Sequence, residues 1–190
     1  MHILIIYGSL EGQTKKIAHG IGDRLQLKGH DVTVLAAEHL PAGFTPRHYD
    51  AAIVGGAIHM NHYPRSISDF VTSHLDWLRH TTTGFFTVCM AIRSEHQGSR
   101  NQALAYSEDF LKQTGWRPAR TATFAGAVKY TQYNFLTRYI MKRISKHEGG
   151  STDTSRDHEY TDWASVERFA DDFNAVMENR LHEREISQAT

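Results

Sequence analysis

Cysteine is nearly absent from this chain. Among 190 residues only Cys89 occurs, so no internal disulfide can form, and any redox chemistry has to come from a bound cofactor. Cys89 itself lies in the apolar stretch FFTVCMA, where a thiol behaves as a small buried hydrophobe rather than a nucleophile. Long apolar runs are missing as well. No segment approaches the roughly 18 residues of a membrane span, and the N-terminal ILIIY is too short, and too soon followed by polar residues, to be a signal peptide. The chain is therefore expected in the cytoplasm. A surplus of either charge is absent too: Lys plus Arg and Asp plus Glu number 21 each. That balance leaves no global field to attract nucleic acid or an acidic substrate, although local clusters can still act. With 40% hydrophobic residues the chain can bury one substantial core, and its length fits a single domain over 1–190.

What is present is an alternation of two patterns. HILIIY (2–7) is a short continuous apolar run of the kind buried on both faces of a sheet, and Ile17, Ala18, Ile21 and Leu25 follow at helical spacing until Gly29. DVTVL (31–35) and AAIVGGA (51–57) read as the next strands. Pro64 opens a helix carrying Ile67, Phe70, Val71, Leu75 and Leu78. GFFTVCM (84–90) is a fourth strand, Ala103, Leu104, Phe110 and Leu111 mark a helix ended by Gly115, and TATFAGAV (121–128) is a fifth strand. A last helix starts near Thr161, read as its N-cap, with Trp163, Val166, Phe169, Ala170, Phe173, Val176 and Met177 on one face. Five strands alternating with helices predict an α/β fold, an open doubly wound parallel sheet covered on both sides.

In such a sheet, ligands bind outside the carboxyl ends of the strands where strand order reverses. Three loops leave those ends: Ser9 to Thr14, Gly56 to Tyr63, and Ala91 to Gln97. In the first, Ser9 and Thr14 offer hydroxyls, Gly12 lets the backbone turn closely, and the helix that follows presents free N–H groups and a positive dipole end. A triphosphate would call for a lysine inside the glycine-rich turn, but Lys15 and Lys16 come after it without that spacing. The loop is matched to a single terminal phosphate.

SLEGQT after the first strand resembles the phosphate loop of flavodoxins. Taken with AAIVGGAIHMNHY, GWRPARTATFAGAVKYTQYN and GGSTDTSRDHEYTDW, nearly the whole chain resembles the flavodoxin-like, menaquinone-dependent protoporphyrinogen oxidases of bacterial haem synthesis. The resemblance implies a five-stranded sheet of order 2-1-3-4-5 and an FMN cofactor. It implies that Ser9, Leu10, Glu11, Gly12, Gln13 and Thr14 hold the phosphate, that Gly56, Ala57, Ile58 and His59 run beside the dimethylbenzene edge and N5, and that Ala91, Ile92 and Arg93 approach the pyrimidine side. Flavodoxins commonly sandwich the flavin between aromatic side chains. This second loop offers His59, Met60 and His62, with Tyr63 further on, which would leave one flavin face open to a large flat substrate.

Between the fifth strand and the last helix lies an insert, about 129–160. Its first part, KYTQYNFLTRYIMKRISK, carries Lys129, Arg138, Lys142, Arg143 and Lys146 and no acid. Leu136, Tyr139, Ile140 and Ile144 share one helical face and Arg138, Lys142 and Lys146 another, with Gly149 and Gly150 as a stop. A basic amphipathic helix of this kind can lie in the headgroups of an anionic membrane, line a pocket for a porphyrin's propionates, or simply pack on the domain. The resemblance favours the first two and places the chain at the inner face of the cell membrane, because a quinone acceptor resides in the bilayer. Lys129 and Arg138 are the expected partners of the propionates.

Other constellations carry less. His59 and His62 form H-x-x-H with no further ligand nearby, so no metal is expected. STDTSRDHE (151–159) lacks the spacing and terminal glutamate of a calcium loop. No general base can be named. His59, His62 and Arg93 are the candidates, the histidines because they titrate near neutrality and the arginine as an electrostatic helper. The substrate implied is protoporphyrinogen IX and the acceptor menaquinone or ubiquinone; a homo-oligomer stays open. The alternative is a flavodoxin-type electron carrier, which the zero net charge argues against, since such carriers are typically acidic so as to dock on basic reductases. A non-catalytic surface module is the third reading.

Overall fold

A computed structural model describes residues 1–132, 139, 142, 143 and 151–188. Five parallel strands, β1 (His2–Gly8), β2 (Asp31–Ala36), β3 (Ala51–Ala57), β4 (Thr82–Val88) and β5 (Arg120–Phe124), form a sheet of order β2-β1-β3-β4-β5. The registers run His2↔Asp31, Ile3↔Ala51, Ala51↔Thr82 and Gly84↔Arg120. This is the expected flavodoxin-like doubly wound fold.

Pleating divides β1 between two cores, because successive side chains point to opposite faces. Ile3, Ile5 and Tyr7 pack under helix α1 (Gln13–Leu27) and the C-terminal helix (Trp163–Gln188), while Leu4 and Ile6 pack under α2 (Arg65–Ser73), α3 (Leu75–His80) and α4 (Gln97–Thr114). Arg24 on α1 clamps the C-terminal helix with a bidentate pair to Asp171, Nε at 2.9 Å and Nη2 at 2.7 Å. On the opposite face Trp116 is fully buried, and its indole N–H donates to the Thr83 hydroxyl at 3.1 Å. Thr83→Val preserves the shape and strands that donor. Urea unfolding is expected to show a loss of about 1–3 kcal/mol.

Four boundaries differ from the sequence reading. The fourth strand, read as 84–90, runs Thr82–Val88, because Met90 already belongs to the 3-10 turn that follows. The helix opened by Pro64 is two helices, broken at His74 (φ −117°, ψ 19°). There the ring packs between Phe44 and Phe70, and burial pushes its pKa down. The fifth strand ends at Phe124, because Ala127–Val128 (β6) leaves the sheet and pairs antiparallel with His158–Glu159 (β7). Thr161 is not the cap of the last helix. Asp162 is: its carboxylate accepts the Ser165 N–H at 3.3 Å, and its carbonyl accepts the Ser165 and Val166 N–H groups. The Thr161 hydroxyl is committed elsewhere.

Candidate functional site

The order of strands reverses between β1 and β3, and the loops after β1, β3 and β4 meet above that point. The first loop turns at Gly12, whose φ of +86° suits glycine, and the Gly12 N–H donates to Ser9 Oγ at 3.0 Å. Helix α1 then begins with Gln13 and Thr14, both buried. Thr14 is 1% exposed, lines the cleft, and its hydroxyl has no hydrogen-bond partner among the described residues. A buried hydroxyl without a partner, beside the free N–H groups of a helix start, is a cradle for a ligand oxygen. These residues fit the phosphate of an FMN.

The second loop is a tight hairpin. His59 and His62 exchange backbone hydrogen bonds at 2.9 and 3.0 Å, and Met60 and Asn61 between them have positive φ (48° and 68°). Tyr106 of α4 donates its hydroxyl to Asn61 Oδ1 at 2.6 Å. Tyr63 turns inward onto Phe85 and Phe110, and its hydroxyl meets that of Thr87 at 2.7 Å; burial raises the phenol's pKa. The ring therefore does not cover the cleft. His59 stands at the cleft wall with Ala57 and Ile58, whereas Gly56 is sheet backbone facing Tyr63 and His62 lies on the hairpin's outer side.

After β4 the chain turns through a 3-10 segment, Met90–Arg93. Val88 and Met90 face the cleft; Ala91 and Ile92 are half-buried one step beyond, and the Arg93 guanidinium lies 4.6 Å from the centre of the Tyr160 ring. The fourth wall, Gly126 and Ala127, was not singled out from the sequence as a site. The glycine interrupting TATFAGAV was the available signal that the strand departs there. The free space, open mouth included, is about 570 Å³.

This fourth wall is bonded to the phosphate loop. Gln13 Nε2 donates to Thr161 Oγ1 at 2.9 Å, and that hydroxyl donates to the Ala125 carbonyl at 2.8 Å. Glu159 accepts from Lys16 Nζ at 2.6 Å and from the Trp163 indole at 2.7 Å. Its partial burial opposes ionisation, yet the hydrogen bonds from Lys16, Trp163 and Gln13 with the lysine's charge prevail and hold its pKa below the ordinary value. A lowered carboxylate pKa stabilises the fold above the ordinary range, and that contribution is lost as pH falls through the folded value. Glu159→Gln is expected to flatten this part of the acid limb in a melting-temperature series against pH. An unchanged acid limb would count against the knot.

The root of the insert is also pinned. Asp157 accepts the Thr131 N–H and hydroxyl at 2.9 and 2.8 Å and lies 3.9 Å from Lys129, while Tyr130 donates to the Ser151 carbonyl at 3.0 Å. Lys129 is thus part of the root. Tyr139, Lys142 and Arg143 are each helical and exposed, and Arg138 and Lys146 lie outside the described residues. Among the described residues no three His, Cys, Asp or Glu side chains group as metal ligands, and no helix is long and apolar enough to cross a membrane.

Comparison with known proteins agrees with this fold. The family model described as Flavodoxin domain matches residues 4–155. The protoporphyrinogen IX dehydrogenase (quinone) of Escherichia coli strain K12 is 33% identical over 170 residues, covering 90% of this chain and 93% of that protein. The protein of the same name from Leishmania major is 30% identical over 177 residues, covering 91% and 74%. Among solved structures, oxidised flavodoxin 1 of Bacillus cereus superposes with a TM-score of 0.57 at 14% identity, over 92% of this chain and 98% of that one. A flavodoxin from the domain Archaea gives 0.56 at 14%, over 94% and 99%. At those identities the structural likeness speaks for the fold.

Proposed function

The chain belongs to the flavodoxin-domain family that includes the protoporphyrinogen IX dehydrogenases, and from that premise we propose that it oxidises protoporphyrinogen IX to protoporphyrin IX with FMN, passing the electrons to a quinone. The observation that carries the reading is the meeting, at one cleft, of a phosphate cradle with the ribbon that roots an additional basic segment. A simple carrier would have no need of the second part.

Bound FMN supplies a two-electron acceptor that can be reoxidised by a quinone. The chain's own residues bind and orient. Gln13 and Thr14 present an N–H and a hydroxyl to the phosphate, while Lys16 of the same turn is held by Glu159. Ala57, Ile58 and Met90 give the ring an apolar slot, with Gly126 and Ala127 as its floor. The hairpin carries Met60 rather than an aromatic ring at its tip, and the inward-turned Tyr63 leaves the mouth free for a bulky reductant. Going from porphyrinogen to porphyrin removes six electrons and six hydrogens, so three two-electron rounds must occur, each returning electrons to the acceptor. Arg93, Ala91 and Ile92 stand on the turn beside the slot and contribute to the pyrimidine side. His59 stands in the cleft wall and is the first choice for accepting a pyrrole proton.

The exposed Lys142, Arg143 and Tyr139 suit contact with anionic headgroups, which would bring the mouth to a bilayer quinone at the cytoplasmic face. The test is anaerobic oxidation of protoporphyrinogen IX by FMN-loaded protein, followed by porphyrin fluorescence with and without a menaquinone analogue. Quinone-dependent turnover is expected. FMN binding without porphyrin formation, even with membranes added, would overturn the reading.

A further inference from the structure

Met60 is out of place by two independent measures. It is a large apolar side chain 83% exposed, and its φ of +48° lies in the left-handed region, which is unfavourable for a residue with a Cβ. Hairpin turns of this mirror-image kind normally take Asn-Gly, and here Met-Asn stands instead. Neither burial nor turn chemistry accounts for the residue. The surroundings nevertheless enforce its position, through the His59–His62 pair on either side and the 2.6 Å bond from Tyr106 to Asn61. Strain maintained by a surrounding frame points to use.

The hairpin is one wall of a second groove. Leu10, His59, His62, Tyr63, Pro64 and Arg65 line it, with a free space of about 710 Å³ including its open mouth. Leu10 and His59 line the cofactor cleft as well, so the two spaces adjoin across these side chains. Leu10 is itself 66% exposed. Arg65 opens α2, and its closest ion pair, to Asp69 at 3.5 Å, is a solvent-facing i,i+4 contact of little worth. Its guanidinium can therefore serve a ligand. Glu38 also lines the groove and accepts the hydroxyl of Ser66, the residue after Arg65, at 2.8 Å.

An apolar lip next to a cation fits a molecule with a large apolar ring and carboxylates on its edge. We propose that this groove is a docking subsite for the tetrapyrrole, with Leu10 and Met60 against the macrocycle and Arg65 on one of its carboxylates. A quinone offers no anion for Arg65, and a macrocycle seated across Leu10 reaches from this groove toward the adjoining cleft where electrons are taken. The assignment rests on the function proposed above.

Steady-state kinetics of the FMN-loaded full chain test it, with Met60→Ser, Arg65→Gln and Arg65→Lys. The KM for protoporphyrinogen IX is expected to rise about tenfold in the first two, with most of the loss restored in Arg65→Lys. The KM for the menaquinone analogue and the Kd for FMN should stay within about twofold, the scatter expected of a surface substitution. The dimethyl ester of the substrate should show no dependence on Arg65. An unchanged porphyrinogen KM in a competent enzyme overturns the subsite and leaves the activity standing. A raised quinone KM makes the groove the acceptor's, and a raised FMN Kd assigns Met60 to the cofactor. Wild-type protein that binds FMN yet never oxidises porphyrinogen fails the proposed function, and this subsite with it.

Discussion

Gly55→Ala is expected to cost more stability than any other single methyl added to the sheet. A Cβ at this position would lie 1.9, 2.1 and 2.4 Å from the Cζ, Cε1 and Cε2 atoms of Phe86. Gly55 and Phe86 are register partners on β3 and β4, and the ring lies across the glycine. It has nowhere to go: Phe86 is fully buried in the core under α1 and the C-terminal helix, with Phe124 6.0 Å away, centre to centre. The glycine is required for space, not for an unusual backbone angle. Overpacking a rigid interior costs about 1–3 kcal/mol and occasionally more; here about 3 kcal/mol or more is expected, because neither the ring nor the strand can yield without breaking the ladder. Urea titration reads the loss directly. Gly55→Ala combined with Phe86→Leu should recover part of it, and a single variant within about 0.5 kcal/mol of wild type, the range of a harmless surface change, would show that the ring moves freely.

That contact illustrates what the sequence could and could not say. The run AAIVGGA declared a buried strand through its apolar continuity, and the same signal located β1, β2 and β4, so the sheet and its two cores were legible locally. Which ring lies over which glycine was not, because it depends on the β3–β4 register. The phosphate loop was legible for the reason the strands were: Ser9, Gly12 and Thr14 sit within six consecutive positions, and a strand-turn-helix passage fixes their relation. The parts that Gly126 and Thr161 play at the cleft were not legible, because their partners are distant in sequence; Gln13 reaches across 148 positions to Thr161. Thr161 even carried a plausible local meaning as a cap, and the longer-range bonds to Gln13 and Ala125 took the hydroxyl while Asp162 took the cap. The break at His74 had no glycine or proline to announce it, only the aromatic contacts of Phe44 and Phe70.

Thr14→Val is expected to weaken FMN binding by about 10- to 100-fold and leave riboflavin binding unchanged. The side chains have nearly the same shape, so the substitution removes a hydroxyl and little else. Thr14 is 1% exposed, and its hydroxyl has no hydrogen-bond partner among the described residues. A group that has lost its water without gaining a partner opposes folding, so the variant should be at least as stable as wild type in the absence of cofactor. The benefit of the threonine must then appear on binding. A hydrogen bond to a charged group contributes about 1.5–3 kcal/mol, and each 1.4 kcal/mol is a factor of about ten in affinity. Riboflavin carries the same ring without the phosphate, so its affinity separates the cradle from the slot formed by Ala57, Ile58 and Met90. Fluorescence titration with both flavins decides between three outcomes. A selective loss for FMN places the phosphate on Thr14; an equal loss for both makes Thr14 a support of the slot; and no loss for either removes the first loop as the phosphate site. The selective outcome is expected because Lys16, on the same first turn, is already bound to Glu159 at 2.6 Å, so the buried Thr14 hydroxyl is a donor that no other group on this turn duplicates in place.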